Sequence, residues 1–101
     1  MSQTRFEWDE AKNQRNRQKH GVDFETAARI FADPFALSLQ DRMEGGEARW
    51  QTIGLLEGHV LLLVAHTILE GTKDDGPEVI RIISARKATR KERRRYEDEI
   101  G

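Results

Sequence analysis

The sequence predicts an α+β domain of order β-α-α-β-β-β-β-α, with a mainly antiparallel sheet and its helices packed on one face. Two observations carry this reading. Phe24, Ala27, Ala28 and Phe31 fall at i, i+3, i+4 and i+7, the spacing of a helix with one buried stripe. Between residues 36 and 86 lie four alternating or wholly apolar segments, and consecutive strands joined by short links favour a meander. A chain of 101 residues suits a single domain, residues 1–101, with one modest core.

The elements follow in order. Arg5-Phe6-Glu7-Trp8 alternates as a short strand. Asp9 is an N-cap and Glu10 suits the positive end of a helix dipole, so a helix runs from there to about His20, with Gly21 as its C′ residue. That helix has only Ala11 as an apolar side chain. With no stripe to bury, it must be anchored by its ends, Trp8 and Val22, and by a buried amide such as Asn16. Asp23 caps the second helix and Asp33-Pro34 ends it. Leu37 and Leu39 alternate with polar neighbours in a half-buried strand, and Gly45-Gly46 marks a loop. Arg49–Leu55 is the next strand, and Glu57-Gly58 turns into His59–Leu69, which is apolar on both parities and therefore central. Glu70–Pro77 reads as a polar loop before a last strand, Glu78–Arg86. Thr89 and Glu92 form a capping box for a final helix to about Glu99. The face of the sheet without helices is where a site belongs.

Hydrophobic residues make up 37% of the chain and charged ones 35%, so the core is economical and the surface ionic. The net charge of −1 conceals an asymmetry: residues 1–20 sum to +2, residues 21–80 to −7 and residues 81–101 to +4. Arg86 to Arg95 holds seven bases and one acid, the density of a phosphate footprint or of a salt-bridged helix. There is no cysteine, hence no disulfide and no thiolate metal site. The first residues lack an apolar signal region, and the apolar run Val60–Ala65 is too short to span a bilayer. A soluble, cytoplasmic protein with no membrane contact is expected.

Three histidines, His20, His59 and His66, lack metal-ligand spacing, and no glycine-rich phosphate loop or nucleophile elbow is present. No metal and no cofactor are expected. The remaining inventory, arginine with scattered histidine, threonine and tyrosine, fits RNA cleavage by the substrate's own 2′-hydroxyl. Arginine meets phosphate oxygens bidentately, and histidine moves protons near neutrality. Arg81 and Arg86 fall on opposite parities of the last strand, so at least one must leave the core. Arg86 is the first candidate phosphate ligand, against an ordinary strand-end salt bridge. Arg81 is either structural or interfacial, or part of the site. His66 is either a satisfied core residue or catalytic, His20 either a helix cap or catalytic, and Tyr96 points into the core or over the site. Arg49 faces solvent or the site. Lys19, Lys87, Arg90 and Arg94 are candidate RNA-binding cations.

The chain resembles the BrnT toxins of bacterial type II toxin–antitoxin pairs. The matching stretches are Phe6-Glu7-Trp8-Asp9, Asn16, Lys19-His20-Gly21-Val22, Phe24, Ala27-Ala28 through Phe31, and Asp33-Pro34. They continue with Arg49, Ile53-Gly54, the run Ile80 to Arg86, Ala88, Glu92-Arg93 and Tyr96. The resemblance implies a RelE-like fold and a ribonuclease that arrests translation by cleaving mRNA. It also implies a partner, a BrnA-like ribbon-helix-helix antitoxin, in a 2:2 heterotetramer that binds promoter DNA only through the antitoxin. The Glu70–Pro77 loop looks longer and more acidic than the family's hairpin. The rival reading is a non-catalytic partner module of a DNA-binding regulator. A direct DNA binder is disfavoured because no second helix pairs with the cationic one as a helix-turn-helix.

Overall fold

In the computed structural model, which describes residues 4–69 and 78–100, Asp9 opens the first helix as an N-cap should. Its carboxylate accepts from the backbone N–H groups of Ala11 at 2.8 Å and Lys12 at 3.2 Å. The chain runs β1 (Thr4–Glu7), α1 (Glu10–His20), α2 (Phe24–Ala28), a 3-10 turn (Arg29–Ala32), β2 (Leu37–Glu44), β3 (Glu47–Leu56), β4 (Val60–Leu69), β5 (Glu78–Lys87) and α3 (Arg90–Ile100). The acidic loop expected at Glu70–Pro77 lies outside the described residues.

The second helix is shorter than its stripe suggests. Asp33 must be extended before Pro34, and the chain prepares for it by tightening into the 3-10 turn at Arg29. The tighter turn brings Ile30 round behind Ala27, so Ile30 rather than Phe31 takes the deepest core position. That turn can lie against β3 only because residue 54 is glycine. A Cβ there would come within 2.9 Å of both Cβ and O of Ile30.

The sheet order is β1-β5-β4-β3-β2. Only the edge strand β1 is parallel to its neighbour, and β4 lies at the centre as its apolar run predicts. Leu62, Val64 and His66 of β4 face α1 and α2, while Leu61 and Leu63 face the other way. The helices do not share one face. Tyr96 of α3 packs with Ile53, Leu61 and Leu63 on the side opposite α1 and α2. The sequence could not reveal this because a bulge reverses the parity of β5. Ala65 pairs with Ser84 but His66 pairs with Ile82, which leaves Ile83 without a partner on β4. Arg81, Ser84 and Arg86 consequently point to the same face, although their sequence parity separates them. Beyond α3 that face, with Arg49 and Gln51 of β3, is left open by the helices among the described residues.

Helix α1 lies along β5 where β1 stops. β1 pairs only with Glu78–Arg81. Further along, Asn16 takes the place of a strand. Its amide nitrogen donates to the carbonyls of Val22 and Ala85, each at 2.8 Å, and its oxygen accepts from Ala85 N–H at 3.1 Å. Asn16 is only 7% exposed, and Trp8 packs edge-on against Phe24 at 6.2 Å. The polar helix is thus held by the amide and the end anchor that its composition called for.

Candidate functional site

The β5 bulge carries Ile83 and Ser84 between two adjoining cavities. One, of about 290 Å³, has Lys12, Arg15, Lys19 and His20 of α1 as its wall. The other, of about 250 Å³, is walled by Arg42, Arg49 and Gln51 together with Asp41 and Glu44. Ile83 and Ser84 line both, so the two cavities adjoin at the bulge as a groove in two parts, from α1 across β5 to the β2–β3 hairpin. Lys12, Arg15 and Lys19 are at i, i+3 and i+7, one cationic stripe on a helix that has no apolar stripe. The sequence reading selected Lys19 and His20 but missed Lys12, Arg15 and Ser84. The stripe was readable from spacing alone, whereas Ser84 depends on the bulge.

The three strand arginines differ in how they are occupied. Arg86 is clamped by Glu92, with Nη1 and Nη2 at 2.8 and 2.9 Å from its two carboxylate oxygens. That clamp, opposed by burial and helped by the Thr89 N–H, holds the Glu92 carboxyl down at about 2. Arg86 therefore makes the strand-end salt bridge, and its fork is not free for phosphate. Arg81 is tied to Glu7 at 2.7 Å. Arg49 is the exception. Its Nε is 3.4 Å from Glu44, inside ion-pair range but outside hydrogen-bonding geometry, and this buried nitrogen has no hydrogen-bond partner among the described residues. The Glu44 oxygen concerned is also shared with Arg42.

The histidines separate as clearly. His66 is 1% exposed, with Nε2 at 2.7 Å from Thr52 Oγ1 and its ring edge-on to Phe31. Burial pushes its pKa below the ordinary value, against a weaker opposing effect of the Thr67 carbonyl. His66 thus takes the core alternative, its ring enclosed among the residues of the helix-side face. His59 lies in the β3–β4 turn. His20 alone of the three lines the groove. Tyr96 takes the core alternative: it is 5% exposed, and its hydroxyl donates to Asp33 Oδ2 at 2.6 Å. Burial and that carboxylate push the phenol up to about 12. Lys87, Arg90 and Arg94 are exposed at the end of β5 and on α3. Among the described residues, no three His, Cys, Asp or Glu side chains come together as metal ligands would.

Over residues 8–92 the chain matches the family described as the ribonuclease toxin BrnT of type II toxin–antitoxin systems. The chain belongs to the BrnT family. The whole groove, from Lys12 to Ser84, lies inside the matched region. The crystal structure of the Brucella abortus ribonuclease toxin, BrnT, is similar with a TM-score of 0.62 and 25% sequence identity. The match covers 88% of this chain and 100% of that one. No curated protein matches the chain. Membership of a type II system implies an antitoxin as partner. No described helix is long and apolar enough to cross a membrane.

Proposed function

We propose that the protein is a metal-independent endoribonuclease that cleaves mRNA in the cytoplasm and so stops translation. The observation that carries this reading is the groove itself: three cations of α1 and His20 on one side of Ser84, Arg49 on the other. Cations spaced along a helix suit successive phosphates, and the 2′-hydroxyl of RNA provides a nucleophile without help from a metal. Lys87, Arg90 and Arg94 make a second cationic surface outside the groove. A BrnA-like antitoxin, dimeric through a ribbon-helix-helix domain, restrains the enzyme in a 2:2 complex, and promoter DNA is bound through the antitoxin alone.

Purified protein incubated with RNA in EDTA tests the chemistry. Expected are products with 2′,3′-cyclic phosphate ends, and loss of cleavage when the nucleotide at the cut site is 2′-deoxy. Strict dependence on added magnesium would defeat the mechanism. RNA left intact under all conditions would reduce the chain to a partner module of a DNA-binding antitoxin.

A further inference from the structure

We infer that Arg49 and His20, on the two sides of Ser84, are the catalytic pair, with the scissile phosphate held over Ser84 between them. This assignment rests on the ribonuclease reading and goes beyond it by naming the groups that act. The argument is one of availability. Arg81, Ser84 and Arg86 open onto the same face as Arg49, because the bulge at Ile83 reverses the strand's parity. Of the three arginines there, Arg86 has both terminal nitrogens engaged by one carboxylate and Arg81 has its Nε engaged at 2.7 Å. Drawing Arg86 to a phosphate would leave Glu92 without its partner, and Arg81, held to Glu7, lines neither cavity. Arg49 loses no hydrogen bond to a carboxylate on turning to a phosphate, because its buried Nε makes none among the described residues. A guanidinium that is held at the cavity wall and not yet satisfied is the kind of donor that stabilises charge as it develops in the transition state.

His20 is selected in the same way. His66 is enclosed in the core and His59 sits at a hairpin turn, which leaves His20 as the one histidine in contact with the groove. In the step itself, the neutral imidazole takes the proton of the 2′-hydroxyl and O2′ bonds to phosphorus. The P–O5′ bond breaks and its electron pair stays on O5′. Solvent returns one proton to O5′, and the imidazolium releases one to solvent. The products are a 2′,3′-cyclic phosphate and a 5′-hydroxyl, with no net proton change and no co-reactant. Arg49 donates to the non-bridging oxygens throughout.

The test uses the full chain without its antitoxin, in EDTA, on a 5′-labelled mixed-sequence RNA. His20→Ala should lower kcat by about a hundredfold or more while KM changes little, and added imidazole should restore part of the lost rate. Arg49→Ala should lose about a hundredfold in kcat with partial rescue by guanidine, and Arg49→Lys should recover only part because it lacks the fork. Arg81→Gln serves as the comparator and should cleave like the wild type. If the wild type cleaves and both alanine variants keep its kcat, the pair is wrong while the ribonuclease reading stands. Reduced cleavage with an unchanged thermal midpoint but no chemical rescue would also overturn the catalytic assignment. A wild type that leaves this RNA intact overturns both.

Discussion

Glu92 does two jobs with one carboxylate. It closes the capping box, accepting from the Thr89 N–H at 2.8 Å while its own N–H donates to Thr89 Oγ1 at 3.2 Å, and it holds Arg86. The box was legible in the sequence, since it depends on a spacing of three residues. The clamp was not, because it depends on the angle at which α3 leaves β5. The candidate site divided along the same line. Lys19 and His20 stood out on a helix whose composition was already odd, and Arg49 was one of several plausible arginines. Which arginine is left without a hydrogen bond to a carboxylate, among the described residues, is decided by carboxylates such as Glu7 and Glu92, brought up from distant or differently folded segments. The clamp has a pH signature. The Glu92 carboxyl titrates near 4.5 when unfolded and near 2 when folded, so its contribution is full above about 4.5 and is lost as pH falls towards 2. Glu92→Gln should cost about 1–2 kcal/mol in urea unfolding near neutral pH. The variant should also lack the part of the acid destabilisation that the wild type shows below about pH 4.5.

Helix α3 rests on a small apolar contact, Tyr96 with the preceding Ala88 against Ile53, Leu61 and Leu63, and is pinned at two points. The Arg86–Glu92 clamp holds its start. The Tyr96–Asp33 bond holds its second half to the loop that leads into β2. Burial pushes the Asp33 carboxyl up, yet bonds from Tyr96 O–H and from the N–H groups of Leu55 and Phe35 outweigh this and keep it below its usual range. Tyr96→Phe removes one of these three donors and keeps the ring. Stability should fall by about 1 kcal/mol, and amide exchange should quicken in α3 while the sheet amides stay protected. Most elements were readable from the sequence: both caps of α1, the anchoring role of Asn16, the two glycine turns and the central position of β4. The placement of α3 was not. A period-two reading of β5 fails at Ile83, and with it fails any forecast of which face the following helix covers.

At the scale of the whole molecule, the near-zero net charge hides two separated cationic surfaces, the α1 wall of the groove and the outer side of α3. Salt dependence distinguishes them. Arg15→Ala and Lys19→Ala should each weaken RNA binding and reduce the slope of log K against log salt by up to about one unit, measured by fluorescence anisotropy. The same measurement on Arg90→Ala and Arg94→Ala reports how far RNA reaches along α3, and equal slopes in all four variants and the wild type would remove both surfaces from the interface. The sheet also has two rims, and they are protected differently. β2 carries Asp41, Arg42 and Glu44 with an irregularity between Gln40 and Arg42, devices that discourage another strand from adding on. Beyond the reach of β1, β5 carries charges only at its end, Arg86 and Lys87; before them the amide of Asn16 fills the place a neighbouring strand would occupy. Asn16→Leu, close in volume but unable to pair with Ala85, uncovers a row of backbone donors and acceptors. Copies of the variant should then add edge to edge, and light scattering should show larger, concentration-dependent assemblies than the parent forms. That outcome would give Asn16 a second task, guarding the chain against self-templated strand exchange as well as holding α1 in place.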